Sequence, residues 1–302
     1  MLDTEITTLV AKGRQERRSR LLTALGNVAP GLRPRLQPLA DTTDSWHHAV
    51  LAHLETNARL WARRDQENFA SRVSGHLDAL MATEPGPKTV QAADCDLYED
   101  APYDSPCWLL RPDTLVRPLA QLYPGALELL HSDPLFDEVI RIGAGVVVAN
   151  GRIQAMSANN SWTLAGLDSS IFMDVPESPL RVAEAVLHEA SHNLLFETVR
   201  TEGLSLPPEH AWYSPWKKTE RPAYGFLHSV YAFSQLVAFW ERTAAPSEVE
   251  ELYRRLRLTE ETANLRSIKD SAEAAIALLG PSASARLVTD AYTTALSVPV
   301  TA

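Results

Sequence analysis

The sequence predicts an α+β chain that is mostly α: a helical N-terminal part, a small antiparallel sheet in the middle and a group of C-terminal helices. Three observations predict it. Apolar residues recur at helical spacing through residues 1–83. Short β-branched runs cluster in the middle, at Glu138–Ile142, Gly145–Ala149 and Ser169–Val175. After Ser178-Pro179, a capping residue followed by proline at the first helical position, helical patterning resumes and continues almost to the end.

The elements follow in order. Leu9, Val10, Leu21, Leu22 and Leu25 sit among charged residues, and the intervening RQERR run reads as a solvated helix face. Pro30, Pro34 and Pro38 are expected to break the helix between Ala29 and Asp41. Asp44 or Ser45 then caps a long stretch ending near Met81, carried by Leu51, Leu54, Leu60 and Trp61. Residues 84–108 turn polar and proline-rich and read as a loop or linker between a 1–83 helical region and a 109–302 domain. A short helix fits within 109–131. Asn150-Gly151 is a strong hairpin signal between the middle strands. Further helices are expected from Pro179 to about Val199 and over 222–243, 247–278 and 281–296, with Ser247 and Thr259 as caps.

Composition excludes several functions. The 302 residues carry 28 Lys+Arg against 38 Asp+Glu, a net charge of −10. With no dense basic stretch, such a chain is a poor partner for nucleic acid. No apolar run approaches the roughly 18–20 residues of a membrane span, and the N-terminus lacks a signal-peptide core, so no membrane association and a cytoplasmic location are expected. The two cysteines, Cys95 and Cys107, are too few for a thiolate cluster. Any metal here rests on carboxylates and the nine histidines.

The helix starting at Pro179 carries His188-Glu189-Ala190-Ser191-His192, a match to H-E-x-x-H. Residues four apart stack on one helix face, so both imidazoles can reach a single ion from a rigid platform. Glu189 lies beside that face, within reach of a metal-bound water. The C-terminal helices are thus expected to carry a metal site. Among candidates for the third ligand, His228 on the helix beginning near Pro222 ranks above His210, Glu209 and Glu241. His47, His48, His53, His76 and His131 read as structural or exposed.

Before His228 stands Ala211-Trp212-Tyr213-Ser214-Pro215-Trp216-Lys217-Lys218-Thr219-Glu220-Arg221-Pro222. Near a metal, Lys or Arg offers a counter-charge for an organic carboxylate, and Arg binds one bidentately. Tyr and Trp can wall the pocket. The alternative is an aromatic loop packed over the helix pair, its charges in water.

Together, HEASHN, YSPWKKTERP and GFLHSVYAF resemble the HExxH-type 2-oxoglutarate-dependent peptide β-hydroxylases of ribosomal peptide pathways. The similarity covers residues 170–235. It implies a non-haem Fe(II) enzyme that uses 2-oxoglutarate and O₂ to hydroxylate a side-chain β-carbon of a ribosomally synthesised precursor peptide. By this resemblance His188, His192 and His228 hold the iron, leaving coordination sites for cosubstrate and O₂, and Glu189 stands behind them. Arg221 anchors the distal carboxylate of 2-oxoglutarate. Lys217, where the family carries Arg, is the second candidate. Trp216 and Tyr231 are expected beside the cosubstrate, and Tyr213 and Tyr224 on the peptide side.

Two other readings stand beside it. From residues 188–192 alone, a Zn(II) metallopeptidase with Glu189 as general base is the more natural expectation. The other is a metal-free peptide-binding scaffold.

Overall fold

The computed structural model describes residues 2–40, 44–81, 87–92, 108–111, 117–153, 161–164 and 166–299. Four helices open the chain: α1 (Thr4–Val28), α2 (Arg33–Ala40), α3 (Ser45–Arg64) and α4 (Phe69–Met81). Asp3 caps α1 and Asp44 caps α3, each side chain accepting a backbone N–H of the first turn. The expected proline break is mostly helical: a 3-10 turn over Pro30–Leu32 leads into α2. Pro34 falls in the first turn of α2, where its missing N–H costs no helix hydrogen bond. The expected long helix from Asp44 divides at Asp65, whose carboxylate accepts from Asn68 and Arg72.

The middle of the chain builds a five-stranded sheet from β1 (Pro87–Ala92), β2 (Trp108–Arg111), β3 (Val146–Ile153), β4 (Ser161–Trp162) and β5 (Ser170–Val175), in the order β2-β1-β3-β5-β4. The α+β, mostly α class holds, and the sheet is mixed. Its outer pairs, β1–β2 and β4–β5, are antiparallel; β1–β3 and β3–β5 are parallel. Asn150-Gly151 closes no hairpin. It lies inside β3 at a register irregularity between Ala149 and Ile153. Part of the expected linker, Pro87–Ala92 and Trp108, is strand; the rest of 84–107 lies outside the described residues.

Alternation along the strands explains the β-branched runs. Val146, Val148 and Phe172 face a core made with α1–α4. Val147, Ile171, Met173 and Val175 face a second core made with the later helices. A sheet covered on both faces needs apolar residues at consecutive positions. Helix α5 (Arg117–His131) and helix α6 (Pro134–Gly143) precede β3. Glu138–Ile142, expected as strand, is therefore helix. Asp133 caps it, and Phe136, Val139, Ile140 and Gly143 form its buried stripe at helical spacing.

The C-terminal part follows the expected plan closely. It comprises α7 (Pro179–Thr201), a hairpin of β6 (Ala211–Ser214) and β7 (Thr219–Pro222), then α8 (Ala223–Arg242), α9 (Glu248–Ser267), α10 (Lys269–Ala277) and α11 (Ala283–Ser297). Ser178 and Ser247 cap α7 and α9 as expected. Thr259 caps nothing: it sits inside α9, its hydroxyl donating to the Arg255 carbonyl at 2.9 Å. The expected 247–278 helix breaks at Ile268. Helix α1 contributes Ile6 and Val10 to one core and Leu21 and Leu25 to the other. Among the described residues, no helix is long and apolar enough to cross a membrane.

Candidate metal centre

Helix α7 is almost entirely enclosed, and from Val182 to Arg200 its only partly open positions are His188, His192, Phe196 and Arg200. A spacing of four keeps these side chains on one face. His188, His192 and Phe196 line a cavity of about 430 Å³, closed from the other side by the β6–β7 hairpin and α8. His192 Nε2 lies 3.0 Å from His188 Nε2, and His192 Nδ1 lies 3.2 Å from Nδ1 of His228 on α8. The His192 and His228 rings are stacked, their centroids 5.2 Å apart. His188 Nδ1 and His228 Nε2 are buried with no hydrogen-bond partner among the described residues. The donor atoms that all lie within 4.8 Å of one another belong to His188, Glu189 and His192. His228 is not among them; it lies on the other side of the His192 ring, against Nδ1 rather than the Nε2 that faces His188.

Burial, reinforced by neighbouring positive charge, holds all three imidazoles neutral. His192 is depressed to about 3 by burial and then by Arg221 and Lys217. Burial likewise drives His188 and His228 well below the ordinary histidine range. Neutral rings keep lone pairs for a cation. Glu189 is 2% exposed, and its Oε1 accepts from Ser161 Oγ at 2.7 Å. Burial raises its carboxyl to about 7, against the opposing pull of Ser161, Lys217 and Thr163.

The hairpin brings the cations. Its turn closes with Lys218 N–H donating to the Ser214 carbonyl at 2.7 Å, Lys218 itself adopting φ 53°. Lys217 and Arg221 both reach the cavity. Arg221 Nη1 donates to Ser229 Oγ at 3.4 Å, and its guanidinium lies against the backbone of Gly225 at the start of α8. Trp216 stacks flat on Phe233, with centroids 4.2 Å apart and planes 1° apart, and donates its indole N–H to Glu261 of α9. Phe233 in turn meets the His188 ring edge-on at 4.9 Å. Tyr224 lies 4.3 Å from the His228 ring, and its hydroxyl is buried without a partner among the described residues.

Eight expected site residues therefore share one cavity: His188, Glu189, His192, His228, Trp216, Lys217, Arg221 and Tyr224. Two do not. Tyr231 is fully buried in the hydrophobic core, since its position on α8 faces the packed interior. Tyr213 is 55% exposed on β6, outside the cavity wall. The lower-ranked ligand candidates also lie elsewhere: Glu209 and His210 are exposed, and Glu241 lies at the end of α8 near Arg242. Sequence reasoning missed Ser161, Trp162, Thr163 and Leu164, which wall the cavity from β4 and the residues after it. No local motif marks them. It also missed Asn193 and Phe196, which continuing the α7 ligand face would have found.

Comparison with models of known protein families and with curated protein sequences gives no match to this chain.

A second acid-histidine group, His48, Asp168 and Glu197, is close enough to hold an ion. Arg14 already grips Glu197 through contacts of 2.6 and 2.7 Å. Arg200 lies 2.6 Å from Asp168, which Arg17 also contacts. A cation there would meet three guanidinium groups, and we read the cluster as a buried ion network. Of the remaining histidines, His53 is buried against Ser170, while His47 and His131 pair with Asp44 and Asp137. The side chain of His76 lies outside the described residues.

Proposed function

We propose that this chain is a non-haem Fe(II)- and 2-oxoglutarate-dependent oxygenase that hydroxylates a side-chain β-carbon of a ribosomally made precursor peptide. The observation that carries the reading is the placement of Arg221 and Lys217 in the same cavity as His188, His192 and His228. Two cations over neutral imidazoles suit a ligand that is itself a dicarboxylate. The histidine set fits a first-row divalent ion, because buried neutral imidazoles with unpartnered ring nitrogens are good donors for one.

His188, His192 and His228 would hold Fe(II), which with 2-oxoglutarate and O₂ would supply the oxidising chemistry, one oxygen atom going to the peptide and the other to succinate as 2-oxoglutarate loses its C1 carboxylate as CO₂. Arg221, with Lys217, binds the distal carboxylate. Trp216, Phe233 and Tyr224 form an aromatic lining that keeps bulk water from the reacting carbon. Glu189, anchored by Ser161, holds the far side of the histidine pair in register.

A Zn(II) metallopeptidase is favoured by one observation, the Glu189 carboxyl raised to about 7 beside both motif histidines. One experiment separates the readings. The chain is incubated with Fe(II), 2-oxoglutarate, air and the peptide encoded by a neighbouring short reading frame, with succinate and peptide mass followed together. Succinate and a peptide heavier by one oxygen atom are expected. Cleaved peptide without either cosubstrate, abolished by Glu189→Gln, supports the peptidase instead. Peptide binding with no stoichiometric metal leaves only a scaffold.

A further inference from the structure

The outer side of α9 is unlike the outside of a helix that faces only water. Val249, Leu252 and Leu256 are 64%, 61% and 60% exposed, which makes them three of the five exposed large hydrophobic residues among the described residues. Thr259 and Ala263 continue the same line and are also exposed. The five positions alternate by three and four residues, the a and d spacing of a heptad repeat, and none is charged. At about 3.6 residues per turn they lie opposite Leu258, Glu261, Thr262 and Leu265, through which α9 packs onto the body. The stripe is therefore a seam left over after the fold has satisfied its own core.

The charges beside the seam are self-complementary in one orientation. With Val249 at position a, Glu248 and Arg255 occupy g positions and Glu260 an e position, all exposed. In a parallel pair, each g residue meets the e residue of the following heptad on the other helix. Arg255 then faces Glu260 of the partner subunit, and the two-fold axis repeats the contact. An antiparallel pair instead brings Arg255 against Arg255 of the partner subunit. Glu260 also pairs with Arg257 of its own chain at 3.1 Å and remains open on its outer side, its side chain 63% exposed.

We propose that the chain self-associates as a parallel two-fold dimer through α9, with Val249, Leu252, Leu256, Thr259 and Ala263 as the seam. A seam this short is weak for free peptides, which must order a helix as they bind. Here α9 is already held against the body, so association does not carry that cost. The inner side of the same helix holds Trp216 through Glu261, so the dimer forms directly behind one wall of the metal cavity. The inference is independent of which metal or reaction the cavity serves.

Sedimentation velocity across a range of protein concentrations tests it, with circular dichroism to verify that each variant is folded. The wild-type mass is expected to rise from monomer to dimer with concentration, and Leu252→Glu/Leu256→Glu to stay monomeric. Glu260→Arg is expected to weaken the dimer by about tenfold, and Arg255→Glu/Glu260→Arg to restore it. Three results overturn the proposal: a wild-type monomer at every concentration, a dimer indifferent to Leu252→Glu/Leu256→Glu, or a dimer strengthened by Arg255→Gln alone, which would relieve the antiparallel clash of Arg255 with Arg255 of the partner subunit.

Discussion

Gly225 determines how closely Arg221 can approach the helix that carries His228. A Cβ at this position would lie 2.9 Å from Arg221 Nη2 and 3.1 Å from Cζ, so even alanine pushes the guanidinium away from Ser229 and towards the cavity mouth. Under the proposed function, Gly225→Ala is accordingly expected to weaken 2-oxoglutarate binding by about tenfold, roughly 1.4 kcal/mol, with metal stoichiometry unchanged. Titrating the cosubstrate against the metal-loaded protein and its variant checks this. Unchanged affinity would remove Arg221 from the carboxylate site and leave Lys217 to bind it.

At the scale of elements, the histidine-bearing helix α7 is fixed against α6. Helix α6 ends at Gly143, where a Cβ would come within 2.1 Å of the Ala190 carbonyl, in the middle of the histidine motif. Asn193 reinforces the contact by donating its side-chain N–H to the Gly143 carbonyl at 2.8 Å. Neither helix backbone can yield locally, so Gly143→Ala is expected to cost about 1–3 kcal/mol and to lower the melting temperature. Thermal unfolding measures it directly. The hairpin is fixed differently, by the Trp216 indole bonded to the Glu261 carboxylate. Glu261→Ala removes the acceptor and frees the segment that carries Lys217. For the proposed oxygenase, KM for 2-oxoglutarate is expected to rise about fivefold to tenfold with kcat changed much less, and Glu261→Gln, which keeps an acceptor oxygen, to recover most of the loss. Equal falls in kcat for both variants would mean that Glu261 acts on the chemistry rather than on the hairpin.

Legibility also divides along element lines. Helix α7 and its ligand spacing are readable because a cap, a first-turn proline and an i, i+4 pair are local signals. Asp133-Pro134 is a start signal of the same kind as Ser178-Pro179, yet the β-branched run that follows points to strand. Only the packing of Phe136, Val139, Ile140 and Gly143 at helical spacing settles it as helix. Asn150-Gly151 misleads for a related reason: β3 lies between β1 and β5 and pairs with both in parallel, and the next strand in the chain, β4, is at the sheet edge beyond β5, so no tight turn is needed there. In the cavity, the histidines and the hairpin cations could be read from spacing and composition. Ser161 and Thr163 could not, because only the pairing of β4 with β5 carries them to Glu189.

For the whole molecule, stability against acid depends on a network that joins the first helices to α7. His48 on α3 lies 3.3 Å from Asp168 and 3.5 Å from Glu197, among Arg14 and Arg17 of α1 and Arg200 of α7. Burial depresses its ring from 6.5 to about 4, so the folded state resists a proton that the unfolded chain accepts. Stability is therefore expected to be level above pH 6.5 and to fall by about 3 kcal/mol between 6.5 and 4 on account of this group alone. Glu197, held below the usual carboxylate range by Arg14 and His48 despite its burial, loses its contribution only at still lower pH. His48→Gln removes the titration, and its denaturation curves are expected to vary less across that window than those of the wild type. Parallel curves would place the acid sensitivity elsewhere.

The two sides of the cavity are built to different tolerances. The histidine pair rides on a helix pinned by Gly143, Asn193 and Glu197, so a substitution there disturbs the whole interior. Lys217 and Arg221 ride on a surface hairpin attached through Trp216, Gly225 and a single turn. A lineage of such proteins could exchange that one hairpin for another, and with it whatever the cavity recognises, while inheriting the histidine-bearing half unchanged. New specificity would then evolve at the rim of the molecule, where errors are cheap, and the ancestry of the protein would be written in α7.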